Sequence, residues 1–258
     1  MVERFWQHMT DRGLGYFSEF NAHGIVRVLE LAGGLGEQVL DWGCGRGALI
    51  EAFIARGSTG WGVDASREAV QHTRKRLEKQ ARFGGAYLVS EVEQIFAEGS
   101  IDTVTCIETV EHIDDATFAR LLAQVRRLLR PSGTLLVSTP NEENLEAAAV
   151  YCPFCESFFH PMQHVRSWSA ESLTRAIEDA GFSVRFCGGI RFESFQRWSA
   201  FEGSSTEVLR VLRANLLGRL DPLWRLLDAL LRRHFPHNLQ FKVRRGEGRH
   251  LCAVATKR

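Results

Sequence analysis

The chain lacks three things that would narrow its class at once: a long apolar run, an excess of one charge, and a dense set of cysteines. No stretch approaches the ~20 consecutive apolar residues that a membrane-spanning helix needs. Met1-Val2-Glu3-Arg4-Phe5-Trp6 has no apolar core of the kind an export signal carries. Lysines and arginines number 32 against 31 aspartates and glutamates, and the net charge of +1 provides no field that would gather nucleic acid. The six cysteines are scattered, apart from Cys152 and Cys155. That argues against a disulfide framework and, with no export signal, leads us to expect a reduced, cytoplasmic chain.

What is present is ordinary globular material. The 258 residues, 45% hydrophobic and 24% charged, suit one large α/β domain with additions. The most informative stretch is Val39-Leu40-Asp41-Trp42-Gly43-Cys44-Gly45-Arg46-Gly47. Val39 and Leu40 end an apolar run that reads as a strand, and Ala48 to Phe53 has helical periodicity. Strand, glycine turn and helix begin a βαβ unit, in which the glycines let the backbone approach a ligand closely. The spacing is not the G-x-G-x-x-G that seats a pyrophosphate. An acid stands at the strand end instead, where it would repel a pyrophosphate but suits an ammonium or sulfonium.

The stretch resembles the first motif of class I S-adenosylmethionine-dependent methyltransferases. The run Leu128 to Asn141 resembles the fifth-strand region of the ubiquinone-biosynthesis type of that family. The resemblance covers residues 36 to 187 and implies S-adenosylmethionine as cofactor. It implies that Asp41, Gly43, Gly45 and Gly47 cradle the cofactor and that Asp64, 17 residues after Gly47, meets the ribose hydroxyls. Glu91 matches the acid that meets the adenine amino group, with the Val92 amide facing a ring nitrogen and Ile107 lining the pocket. Asp64 has a second reading as a helix cap, although Ser66 can do that work.

Taken in order, strands are expected at 60–64, 86–90, 101–107, 134–138 and 182–187. Helices are expected at 48–56, 67–83, 114–129, 142–150 and 169–181, and residues 151–167 read as irregular. The fold class is therefore α/β, a doubly wound Rossmann-like, mostly parallel sheet with an antiparallel closing strand and a C-terminal helical insertion. We expect a single domain over 1–258. Residues 1–35 form a helical cap, 36–200 the core, 201–236 an amphipathic helical insertion whose residues 204–235 carry a net charge of +3, and 237–258 a closing β-hairpin. The insertion reads as a hairpin packed on the domain or on a second copy. A sharper reading makes it a lid that touches an anionic membrane.

Three side chains follow the fourth strand: Glu108, Glu111 and His112. If this stretch is helical, one face presents all three. His112 is the candidate general base, since a histidine titrates near neutral pH. With the later His160-x-x-x-His164 before Trp168, the set is also similar to the metal site of the small-RNA terminal 2′-O-methyltransferases. That resemblance implies a metal that gathers and activates terminal ribose hydroxyls. A competing scheme joins Cys152 and Cys155 to His160 and His164 as a C-x2-C-x4-H-x3-H zinc loop, since tetrahedral zinc accepts two thiolates and two imidazoles. Both schemes use His164. The expected function is methyl transfer to oxygen or nitrogen of a small-molecule or glycan- or lipid-linked acceptor. The alternatives are a metal-dependent RNA 2′-O-methyltransferase and a non-catalytic cofactor-binding protein.

Overall fold

The computed structural model describes residues 5, 6, 8, 9, 16–195 and 248–258. Nine strands and five longer helices organise them: α1 (Phe17–Leu31), β1 (Gln38–Trp42), α2 (Ala48–Ala55), β2 (Thr59–Asp64), α3 (Arg67–Leu77), β3 (Phe83–Leu88), β4 (Ile101–Ile107), α4 (Asp115–Leu128), β5 (Leu129–Pro140), β6 (Val150–Cys152), β7 (Ser157–Phe159), α5 (Ala170–Asp179), β8 (Phe182–Ile190) and β9 (His250–Lys257). Seven strands make one sheet in the order β3-β2-β1-β4-β5-β9-β8. The first five are parallel, and β9 runs antiparallel to both of its neighbours.

The two faces of the sheet are filled by alternate residues of the same strands. Leu40, Leu135, Val137, Ala253 and Ala255 join a core with Phe118, Leu122 and Val125 of α4 and Leu173 and Ile177 of α5. Their neighbours Val39, Leu136 and Val254 point the other way, into a core with Ile25 and Leu29 of α1 and Leu49 and Phe53 of α2. A sheet covered on both faces buries its central strands almost entirely, and β4 (Ile-Asp-Thr-Val-Thr-Cys-Ile) is buried at six of seven positions. Phe53 is wholly buried, and removing such a side chain from water contributes roughly 1.5–3 kcal/mol.

The doubly wound, mostly parallel architecture is as expected. Several local expectations are not met. The helix expected at 142–150 is a single turn, Leu145–Ala148, and Val150 already belongs to β6. The helix after β2 stops at Leu77 rather than near Phe83, because Glu78-Lys79-Gln80 offers no apolar side chain to bury. Within the region expected to be irregular, β6 and β7 pair as an antiparallel hairpin, Tyr151 opposite Phe158. The final strand is antiparallel, as expected, and takes an interior place in the sheet. It is threaded between β5 and β8, with Leu136 opposite Val254 and Val184 opposite Ala255. The helical insertion expected at 201–236 and the first arm of the closing hairpin, 239–245, lie outside the described residues. Gly248 lies against Ile190, and its carbonyl accepts from Asn141 Nδ2 at 3.1 Å. The chain therefore rejoins the sheet beside the end of β8. Among the described residues no helix is long and apolar enough to cross a membrane.

Candidate functional site

The carboxyl ends of β1, β2 and β4 meet at one rim of the sheet. Asp41, buried in β1, accepts a 2.8 Å hydrogen bond from Thr105 Oγ1 of β4. Burial raises its pKa to about 7; the Thr105 bond works against that and the Asp64 charge adds to it. The chain then turns through Gly43, Gly45 and Gly47 at φ of 84°, 50° and 80°. These are left-handed conformations that favour glycine. A Cβ on Gly43 would lie 2.4 Å from Thr109 Oγ1. Asp64, at the end of β2, accepts from the Gly45 amide at 2.9 Å and the Ser66 amide at 2.8 Å. Ser66 is the helix cap, its Oγ accepting from the Ala69 amide. Asp64 thus ties the glycine turn to β2, and its oxygens keep lone pairs for a ligand hydroxyl. Glu91 lies just past β3 and accepts from the Leu88 amide at 2.7 Å, while the Val92 amide closes a short turn onto the Val89 carbonyl. Ile107 is buried at the end of β4.

Two aromatic side chains from before α1 cross this rim. A Cβ on Gly45 would sit 3.0 Å from the Tyr16 ring. Trp6 stacks on Tyr16 with centroids 5.6 Å apart and meets His112 edge-on at 4.8 Å. The pair bridges the glycine turn to the residues that follow β4.

Those residues do not form one helical face. Glu108 takes a left-handed φ of 47° and a 3-10 turn begins only at Val110. Its carboxylate is consequently directed elsewhere, accepting from Ser138 Oγ at 2.8 Å and lying 3.1 Å from His250 Nδ1. Glu111 and His112 are buried, and His164 joins them through a loop anchored by the Val165 amide on the Glu111 carbonyl. One ligand atom from each of Glu111, His112 and His164 falls within 4.8 Å of the others. A second set, Glu143, His160 and His164, meets the same limit. Glu143 forms a short hydrogen bond to His164 Nδ1 and lies 3.3 Å from His160 Nε2, and the two imidazoles stack at 4.2 Å. A carboxylate on Nδ1 leaves the His164 Nε2 lone pair available, the arrangement in which an outer carboxylate orients a metal-binding imidazole.

The donor set fits a divalent cation. Glu111 Oε1, His112 Nδ1 and His160 Nε2 are buried without a hydrogen-bond partner, a costly condition unless something else fills it. Burial, and then the neighbouring His164, push the His112 pKa down to about 3, which keeps its imidazole neutral. Burial raises the Glu111 pKa, with Glu108 adding to it.

The C-x2-C-x4-H-x3-H zinc set expected from sequence is not brought together. Cys152 and Cys155 sit at the turn of the β6–β7 hairpin, whereas His160 follows Phe159, the partner of Val150 at the opposite end. At ~3.3 Å of rise per residue the hairpin's length separates them. Sequence reasoning missed Glu143, His250, Tyr16 and Trp6, none of which lies in a recognisable spacing with its partners.

Residues 7–185 match a family model described as a methyltransferase domain. The chain is 38% identical over 107 residues to a ubiquinone biosynthesis O-methyltransferase of Thiobacillus denitrificans, covering 41% of this chain and 45% of that protein. It is 30% identical over 198 residues to a probable S-adenosylmethionine-dependent methyltransferase of Mycobacterium tuberculosis, covering 76% and 67%. The chain spans about half the length of the ubiquinone-biosynthesis relatives it matches, 45% and 59% for two of them. Among solved structures it shares its fold with a chain from a complex between the Haloferax volcanii Trm112 methyltransferase activator and a putative methyltransferase (TM-score 0.60, 19% identity, 99% and 96% covered). It also shares it with a methyltransferase of Clostridium acetobutylicum (TM-score 0.59, 11% identity, 100% and 99% covered).

Proposed function

This chain belongs to the class I S-adenosylmethionine-dependent methyltransferases, and on that premise we propose that it methylates an oxygen or nitrogen of a small-molecule or glycan- or lipid-linked acceptor. The observation that carries the reading is the Trp6–Tyr16 bridge, which spans from the glycine turn to His112 and so joins a cofactor site to an acceptor site under one aromatic cover. When bound, S-adenosylmethionine supplies a methyl group already made electrophilic by its sulfonium. The chain's part is to hold and align. The glycine turn gives close backbone approach, Asp41 and Asp64 favour a cationic and hydroxyl-bearing ligand, and the aromatic pair excludes water from above. The relatives named O-methyltransferases support oxygen as the accepting atom.

A second reading is favoured by the orphaned atoms of Glu111 and His112 beside His164. These three residues would hold a divalent metal, with Glu143 orienting His164. A metal there would polarise an acceptor hydroxyl and lower its pKa. Acceptors with two neighbouring hydroxyls fit such a site, the terminal ribose of an RNA among them. In the absence of metal His112 is the base candidate, but an imidazole held neutral down to about pH 3 is a weak one.

Turnover with labelled cofactor against diols, lipid-linked glycans and RNA, with and without chelator, tests both readings. Transfer to a hydroxyl that chelator abolishes is expected. Gly45→Val, which forces a branched side chain into a left-handed position against Tyr16, should cut cofactor affinity by tenfold or more, since ~1–2 kcal/mol of backbone strain adds to the clash. Wild-type affinity in that variant would sink the cofactor assignment. Tight cofactor binding with no transfer to any acceptor would favour the non-catalytic alternative.

A further inference from the structure

The β6–β7 hairpin lies between Glu143 and His160 in the chain and contributes no residue to the clusters described above. Its ten residues, Val150 to Phe159, include one charged side chain, Glu156, and four aromatic ones. Phe154 is 97% exposed and Phe158 74%, with Tyr151 half-exposed beside them. A lone two-stranded hairpin is marginal in water, so this one needs something to hold it.

At its turn Cys152 and Cys155 are close enough to interact, and the Cys155 and Phe154 amides beside Cys152, with the Cys155 thiol, draw its thiol pKa down. The Glu156 amide bonds the Cys152 carbonyl at 2.8 Å, and Glu156 takes a left-handed φ of 56° to close the loop. Two thiols are thus held together by a turn whose amides face one of them, and amides so directed stabilise a thiolate. Among the described residues no third histidine, cysteine, aspartate or glutamate joins the pair within metal-binding reach. The other cysteines are occupied elsewhere: Cys44, Cys106 and Cys252 are buried and Cys187 lies in β8.

We propose that the Cys152–Cys155 turn is half of a zinc site that a second copy of this chain completes, four thiolates around one ion. Structural zinc takes four ligands in a tetrahedron, and an all-thiolate set is one of its common forms. A twofold pairing brings the same patch from each copy to the interface. Two identical turns then supply the missing pair of donors while Phe154 and Phe158 of each copy are covered by the other. The Cys155 proton is released on binding, as is any proton on Cys152, and no oxidant is involved.

The test uses the full chain, reduced and freed of metal, titrated with zinc chloride and then with cobalt chloride. Light scattering should show zinc converting monomer to dimer, reversed by chelator. Cys155→Ser should stay monomeric and bind half a zinc ion per chain fewer than wild type, which separates this site from the histidine cluster. Cobalt should give the intense thiolate charge-transfer band of a tetrathiolate site, at one ion per two chains. Cys152→Ser is the second variant, and thermal melts matching wild type show that both fold. Zinc held by the two cysteines in a monomer overturns the proposal. So does a dimer that survives chelator or Cys155→Ser, and so does a pair of thiols that take up no zinc.

Discussion

Asp41 holds a proton under conditions where a surface aspartate would not. Its pKa is raised from 3.8 to about 7, chiefly by burial. The sign follows from proton linkage: between those two values the folded chain binds a proton that the unfolded chain has released. Stability therefore falls as pH rises from about 4 through about 7. A cationic ligand has the opposite preference, because it favours the carboxylate. Cofactor affinity should then climb as pH rises through about 7, with proton release measurable by calorimetry in buffers of different ionisation enthalpy. Asp41→Asn, which can still accept from Thr105, should flatten this residue's share of both trends. Asp64, raised in the same direction by burial, supplies the remainder. An unchanged pH profile of affinity in the variant would remove Asp41 from the cofactor site.

The elements differ in how plainly they can be read from the chain. β1, β2 and β4 are legible because a buried parallel strand must be apolar, and Val-Leu, Gly-Val and Val-Thr-Cys-Ile are. The glycine turn is legible because three left-handed positions so close together admit little else. The β6–β7 hairpin is not, since strands of three residues show no period and its turn carries Glu156 where a glycine would have signalled it. The parting of Glu108 from Glu111 and His112 is equally hidden, because it depends on one non-glycine residue adopting a positive φ. The meeting of Glu143 with His160 and His164 is a long-range contact with no local signature. At the start of α3 both Asp64 and Ser66 could have been the cap, and Ser66 is. Ser66→Ala should cost about 1 kcal/mol in chemical denaturation, the usual worth of a serine cap. A loss well under that value would mean that Asp64, bonded to the Ser66 amide, carries the end of the helix instead.

At the scale of the molecule, the proposed cofactor site draws on three strands and on aromatic residues from before α1, so a ligand bound there would report on the whole fold. Product S-adenosylhomocysteine at one hundred times its dissociation constant should stabilise the chain by about 2.7 kcal/mol. For a domain of this size that is a rise in melting temperature of roughly 5–10 °C, measurable by scanning calorimetry. No shift would mean that the glycine turn does not bind it.

The place of β9 has a consequence for how such a sheet comes into being. A ribosome makes β1 to β8 first, yet β9, made after all of them, belongs in the interior of the sheet between β5 and β8. Until residues 250–257 emerge, a nascent chain holds two strands that await the same absent partner. Unpaired strand edges are where chains join one another wrongly. During translation the window of greatest hazard is therefore late, and it lengthens with every residue between 190 and 250. A stall within that span would leave the described helices and parallel strands formed and the antiparallel seam open.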